Sequence, residues 1–194
     1  MRIGIIGGSF NPPHNDHKRM GLEVLKNNLV DKVIYVPTGD KYTKPGLIEG
    51  NHRYNMVKLM CMNTEGLEFS DYEIKRGASY TYETLEYFQK EYFEDEIYFI
   101  SGTDLILDIE NWKNPNDILT KYKLIGLKRD EYENYELPKI YDKYPNSLKR
   151  YDLNLENLSS TMIREEIKNN NQNNLEQYLD KEVLNYIKLY GLYK

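Results

Sequence analysis

The sequence predicts an α/β domain, a doubly wound parallel sheet flanked by helices. Three observations carry that prediction. Runs rich in β-forming apolar residues recur at 3–6, 32–37, 97–101 and 123–127, and segments of helical period stand between them. The first strand, helix and second strand together occupy about 35 residues, the size of a right-handed parallel crossover. A chain of 194 residues fits one medium domain with a full hydrophobic core, and two domains would be cramped.

Taken in order, Ile3, Ile5 and Ile6 suit a buried strand, which Gly7-Gly8 breaks where the chain must turn. Lacking Cβ atoms, the two glycines are expected to take positive φ and aim their N–H groups at an anion, with the next helix adding its positive end. That helix covers residues 16–28, with Met20, Leu22, Val24, Leu25 and Leu29 at helical spacing. Residues 32–37 (KVIYVP) form a second strand. Residues 38–50 form a basic, irregular loop with Lys41, Lys44 and Pro45-Gly46, past a strand's carboxyl end, where open α/β sheets place their ligands. Residues 51–63 read as a helix with Met56, Val57, Leu59 and Met60 inward, residues 67–74 as an alternating strand, and residues 80–92 as a helix capped by Ser79 or Thr81.

The buried strand at 97–101 ends in Gly102-Thr103-Asp104, a short helical stretch leads to Trp112, and 123–127 (KLIGL) is a fifth strand. Residues 131–150 are tyrosine-rich and without a period, and read as a variable insertion. Residues 151–155 read as a last strand, and 160–169 and 180–190 as two closing helices of a helical C-terminal part that covers 160–194. The order of elements describes a single Rossmann-like domain over residues 1–194.

Composition narrows the partners. A net charge of −5 argues against a large nucleic-acid surface, which needs clustered Lys and Arg, but leaves room for small anionic substrates. No apolar run approaches the roughly 18 residues of a membrane span, and no basic segment precedes an apolar one at the start, so the expected place is the cytoplasm. The single cysteine, Cys61, excludes an internal disulfide and agrees with a reducing compartment. The abundance of Lys, Asn, Tyr and Ile reads as codon bias, and the Asn-rich tract at 169–174 is given no function. Oligomeric state is left open, a homo-oligomer included.

Chemistry concentrates in RIGIIGGSFNPPHNDH, residues 2–17. Gly7-Gly8-Ser9-Phe10 lacks the G-x-G-x-x-G spacing of a dinucleotide loop and the lysine of a P-loop. His14 and His17, two of the three histidines, fall three apart at the start of the first helix, directly after the glycine turn. A metal site would need a third protein ligand, and neither His52 nor a cysteine stands near, so imidazoles at a phosphate explain the placement better. A second anion cradle is legible in Ser159-Ser160-Thr161-Met162-Ile163-Arg164: hydroxyls and N–H groups at a helix start, with an arginine about one turn inside.

With both stretches in view, the chain resembles the nucleotidylyltransferase superfamily. GGSFNPPHNDH is similar to its ATP motif, G-G-(S/T)-F-x-P-x-H-x-G-H, and SSTMIR to its second signature, I-S-S-T-x-I-R. The segments between resemble the bacterial nicotinate mononucleotide adenylyltransferases of NAD biosynthesis. Lys44 stands in their Pro-His-Lys loop with Thr43 in place of the histidine, and Arg53 with Met56 is similar to their R-x-x-M helix. Ser70-Asp71-Tyr72-Glu73, Arg76 and Ser79-Tyr80-Thr81-Tyr82 to Leu85 are similar to their S-D-x-E…R-x-x-S-Y-T-x-x-T-L block. Phe99 to Asp104 with Trp112 resembles their strand, G-x-D turn and tryptophan, and Tyr186-Ile187 with Gly191-Leu192-Tyr193 their ending.

The resemblance implies transfer of the adenylyl group of ATP to nicotinate mononucleotide, with Mg²⁺ and without a covalent protein intermediate. It implies that His14 and His17 contact the ATP phosphates, with the Gly7, Gly8, Ser9 and Phe10 turn beside them. Ser160, Thr161 and Arg164 are to hold the β and γ groups, and Gly102 and Asp104 to meet the adenosine ribose. Lys44 and Arg53 are expected cations for the mononucleotide. Trp112 is placed to stack on the pyridine ring, and Tyr80, Thr81 and Tyr82, at a helix start, suit a nicotinate carboxylate better than a neutral amide. No protein metal ligand is assigned. The rivals are transfer to nicotinamide mononucleotide or phosphopantetheine, and a nucleotide-binding regulator without turnover.

One residue departs from the motif. Asp16 stands where the family has glycine, and an acid in a first helical turn suits the dipole, so it is expected to point outward. Pointed inward it would repel ATP unless it met a metal ion. On the outward reading, Asp16→Gly keeps or raises activity.

Overall fold

The structure is a computed structural model that describes residues 1–41, 44–128, 136–152, 158–169, 171 and 175–194. In chain order the elements are β1 (Arg2–Gly8), α1 (Asn15–Lys26), β2 (Lys32–Pro37), α2 (Gly50–Cys61), β3 (Leu67–Phe69), α3 (Tyr72–Arg76), α4 (Thr81–Glu91) and β4 (Glu96–Gly102). There follow α5 (Thr103–Leu107), a 3₁₀ turn (Ile109–Asn111), α6 (Pro115–Lys121), β5 (Lys123–Lys128), α7 (Glu136–Lys143), β6 (Leu148–Asp152), α8 (Ser160–Lys168), α9 (Leu175–Tyr178) and α10 (Lys181–Tyr190). The strands form one sheet in the order β3-β2-β1-β4-β5-β6, and every pairing is parallel. The direction of winding reverses between β1 and β4, and open sheets bind ligands at such a reversal.

Strand alternation divides the core in two. Ile3, Ile5, Ile34, Val36, Ile97 and Phe99 face one layer, with Leu85 and Phe88 of α4, Ile106 of α5 and Ile118 of α6. Ile6, Val33, Tyr35, Ile100 and Ile125 face the other, with Met20 and Val24 of α1, Met56, Val57 and Met60 of α2, Ile163 of α8 and Val183, Leu184 and Ile187 of α10. Because neighbouring strand residues point to opposite faces, Ile5 and Ile6 lie in different layers. Tyr35 crosses its layer to donate a hydrogen bond from its hydroxyl to the His17 carbonyl at 2.7 Å. Only a glycine at position 21 leaves that path open, since a Cβ there would meet the Tyr35 hydroxyl. Cys61 is buried and free, and burial raises its thiol pKa to about 12.

Three expectations change. The strand read at 67–74 stops at Phe69, because Ser70 Oγ accepts the Tyr72 N–H at 3.2 Å and turns the chain into α3. The insertion read at 131–150 contributes α7 and the start of β6 to the domain, with Ile140 and Leu148 in the core; residues 131–135 lie outside the described residues. The last strand is 148–152 rather than 151–155; of that segment and of the Asn-rich tract, residues 153–157, 170 and 172–174 lie outside the described residues. Among the described residues no helix is long and apolar enough to cross a membrane.

Candidate active site

The site is built at the carboxyl ends of β1 and β4. Gly7 and Gly8 do not take the positive φ expected of them: they continue β1, paired in register with Val36 and Pro37, and Gly8 accepts the Thr38 N–H at 2.9 Å. The left-handed residue is Phe10, at φ 45°, so the strained step of the turn comes two residues later. Gly8 is needed for close approach instead, since a Cβ there would lie 3.2 Å from the Phe10 ring. That ring is buried and meets His17 and Tyr35 edge-on at 5.0 and 5.8 Å.

His14 is the N-cap of α1 and is buried, 3% exposed. Its N–H donates to His17 Nδ1 at 3.1 Å, which places the neutral imidazole's own N–H on Nε2. The two rings lie 3.7 Å apart, tilted by 30°. The structure thus brings both histidines together at a helix start, as the sequence suggested. His52 bonds Tyr186 Oη at 3.0 Å and takes no part.

The second cradle docks on the first across the whole chain. Ser159 caps α8 by accepting the Met162 N–H at 3.1 Å. Ser160 Oγ donates to the Pro12 carbonyl at 2.8 Å. Arg164 Nη1 donates to the Asn11 carbonyl at 2.8 Å, and Nη2 to Thr161 Oγ1 at 3.1 Å. Asn11, fully buried, is the hub that sequence reasoning left out. Its Nδ2 donates to the Gly46 carbonyl at 2.8 Å, and its Oδ1 accepts from the Tyr193 hydroxyl at 3.0 Å. Burial pushes the Tyr193 phenol pKa well up, which keeps it a donor. An Asn between a Phe and a Pro carries no spacing signal of its own.

Beside the glycine turn lies a cavity of about 750 Å³, lined by Gly7, Gly8, Ser9, Thr38, Gly39, Lys41, Lys44, Glu73, Tyr80, Thr81, Thr84, Phe99, Trp112 and Lys113, among others. Trp112 packs against Phe99 at 81° and 5.7 Å, which fixes the indole. Lys44 Nζ lies 3.4 Å from Ser9 Oγ; Thr43 lies outside the described residues. Tyr80 and not its neighbours caps α4, with Glu83 accepting the Tyr80 N–H at 2.9 Å. The first-turn N–H groups that a helix cannot bond internally then belong to Thr81 and Tyr82. The Tyr82 ring lies outside the cavity lining and stacks near-parallel to that of Tyr80 at 6.2 Å. Gly102 ends β4 and caps α5, and Asp104 is exposed in the first turn of α5.

Arg53 is the expected cation that the structure does not bring to the cavity. It is 0% exposed. It donates to the Ile48 carbonyl at 2.9 Å, the Ser9 carbonyl at 3.0 Å, Thr38 Oγ1 at 3.3 Å and Asp40 Oδ1 at 3.0 Å. It braces the glycine turn from behind, and burial lowers its pKa against the pull of Asp40. A motif match gives the residue but not its depth. Asp16 also departs from expectation: it is buried, not outward, and its Oδ2 accepts the Leu158 N–H at 2.9 Å.

The wall holds a buried acid that sequence reasoning gave no role. Glu73 is buried and accepts from the Thr84 hydroxyl at 2.6 Å. Burial raises its pKa to about 7, against the opposing effects of that hydrogen bond and of Arg53.

Comparison with known proteins agrees with this geometry. The cytidylyltransferase-like family model matches residues 5–166. A probable nicotinate-nucleotide adenylyltransferase of Clostridium tetani is 36% identical over 98% of each chain. One of Clostridium botulinum (strain Alaska E43) is 38% identical over 100% of this chain and 98% of its own. The structure of the Plasmodium falciparum nicotinic acid mononucleotide adenylyltransferase complexed with NaAD superposes with a TM-score of 0.81, at 26% identity, over 99% of this chain and 97% of that one. The chain belongs to the cytidylyltransferase-like family, with nicotinate-nucleotide adenylyltransferases as its relatives along its full length.

Proposed function

We propose that the chain transfers the adenylyl group of ATP to nicotinate mononucleotide, giving nicotinate adenine dinucleotide and pyrophosphate in NAD biosynthesis. The observation that carries this reading is the docking of two anion cradles 148 residues apart in sequence, Ser160 on Pro12, beside a cavity walled by Trp112, Thr81 and three lysines. The relatives' names supply the reaction.

An oxygen of the mononucleotide 5′-phosphate attacks the α-phosphorus of ATP in line. The new P–O bond forms as the bond to the bridging oxygen breaks, and pyrophosphate leaves with the electron pair. Little covalent chemistry falls to the protein, so positioning and charge stabilisation carry the rate. His14 and His17 at the start of α1 offer N–H donors and a helix dipole to the α- and β-phosphates. Ser160, Thr161 and Arg164 take the β- and γ-groups, where charge grows on the leaving pyrophosphate. Gly102 and Asp104 receive the adenosine ribose. Lys44 serves the acceptor phosphate, Trp112 the pyridine face, and the Thr81 and Tyr82 N–H groups the nicotinate carboxylate. Arg53 supports the turn that the α-phosphate approaches.

Mg²⁺ enters as the partner of ATP. On this reading the ion is held by the phosphates and water. A cytoplasmic place fits the buried, unpaired Cys61. Pyrophosphate release from ATP, measured in parallel with nicotinate mononucleotide, nicotinamide mononucleotide and phosphopantetheine, tests the reading. The nicotinate form should be fastest. Faster release with phosphopantetheine would replace the acceptor, and none with any would leave a binding protein.

A further inference from the structure

We propose that Asp16 is a positioning residue for the triphosphate of ATP, anchoring the segment that leads into α8 to the first turn of α1. The inference rests on the ATP reading above. Asp16 is the second residue of α1, and its side chain is 4% exposed. A carboxylate persists at that depth only when its oxygens are bonded. Its Oδ2 takes the Leu158 N–H at 2.9 Å across 142 residues of chain, and Oδ1 lies 3.9 Å from Arg19 Nη1. Leu158 is itself buried and immediately precedes Ser159, the cap of α8.

Among the described residues three ties join the two anion cradles, and they are not equivalent. Ser160 to Pro12 and Arg164 to Asn11 use side chains that also face the phosphates on this reading. Ser160 has a single O–H and must leave Pro12 to donate to ATP, whereas Arg164 has N–H groups to spare and can keep Asn11. The tie from Asp16 to the Leu158 backbone uses neither, so it holds the start of α8 in place while Ser160 changes partner. A glycine at position 16, as in the family motif, has no side chain to make that tie. The oxygens of the acid are thus turned to protein groups, the Leu158 N–H and the Arg19 guanidinium.

Calorimetric titration of the full-length protein with ATP and Mg²⁺, and separately with nicotinate mononucleotide, tests this on four variants. Asp16→Ala and Asp16→Gly should weaken ATP about tenfold, the effect of losing one charge-assisted hydrogen bond that holds the cradle, and leave the mononucleotide unchanged. Asp16→Asn keeps an acceptor oxygen and should restore most of the affinity. Asp16→Glu keeps the charge but displaces the oxygens, so it should fall with Ala. This comparison still decides if Ala fails to fold. Unchanged ATP affinity in Ala, equal losses for both ligands, or an Asn variant as weak as Ala would each overturn the proposal. A wild-type chain that binds ATP but transfers nothing to nicotinate mononucleotide overturns only the acceptor reading. One that binds no ATP overturns both.

Discussion

At the scale of single residues, His17 and Arg53 divide between acting on substrate and holding the turn. His17 is half-buried, with Nδ1 occupied by the His14 N–H. His17→Ala removes a donor from the phosphate cradle and should lower turnover by about a hundredfold or more, the usual cost of one preorganised donor. Stability should fall by about 2 to 3 kcal/mol, for one hydrogen bond and the ring contacts with Phe10 and His14. Urea unfolding and steady-state rates on the same preparation check this, and unchanged turnover would remove His17 from the site. Arg53 predicts the reverse pattern. With four acceptors and no exposure, Arg53→Met should destabilise by about 3 kcal/mol through orphaned buried partners. The affinity for the mononucleotide in the folded fraction should hold, and a selective rise in its KM would return Arg53 to the cavity.

Glu73 makes a prediction in pH. Its folded pKa, about 7, lies above the ordinary value of 4.5 because burial disfavours the charge. The stabilisation is therefore complete below pH 4.5 and is lost as pH rises through 7. Relative to Glu73→Gln, the wild type should lose about 2 to 3 kcal/mol of stability between pH 5 and pH 8. Thermal melts of the two proteins across that range measure it, and parallel curves would place the Glu73 pKa back near its ordinary value.

At the scale of elements, the ATP half of the site is a joint between chain ends. α8 brings Ser160 and Arg164 back to the loop after β1, α10 is tied to α1 by Lys18 and Asp180 at 2.9 Å, and Tyr193 closes on Asn11 beyond α10. Tyr193→Phe deletes a buried donor and leaves Asn11 Oδ1 with the longer 3.4 Å contact from the Ile48 N–H. The expected loss is about 1 to 2 kcal/mol, together with weaker ATP binding, since Asn11 also carries the carbonyl that Arg164 grips. A variant that lost stability but bound ATP unchanged would show that the C-terminal contact supports the fold alone.

At the scale of the molecule, the sequence announced what short-range pattern encodes. The apolar runs of β1, β2, β4 and β5 alternate with helical periods, and the parallel sheet follows. Both anion cradles were legible as strings, because a glycine pair, a histidine pair and a capped Ser-Thr-Arg turn each have local signatures. The α7–β6 segment was not, since among the described residues Ile140 and Leu148 enter the core while the rest of its inward face is made by tyrosines, Tyr141 and Tyr144, which read as polar surface. Nor were the long-range polar ties: Asn11 to Tyr193, Arg53 to Ser9 and Asp16 to Leu158 join residues whose partners lie far off in sequence. Depth decides what such residues do, and depth is a property of the packed fold. The measurement that tests the whole account most directly is a stoichiometry. Enzyme, Mg²⁺, ATP and nicotinate mononucleotide are mixed, and dinucleotide is counted by mass spectrometry against pyrophosphate. The account predicts one nicotinate adenine dinucleotide for each pyrophosphate, with formation falling steeply in His17→Ala. Nucleotide consumed without dinucleotide, or dinucleotide formed as fast by His17→Ala, would contradict it.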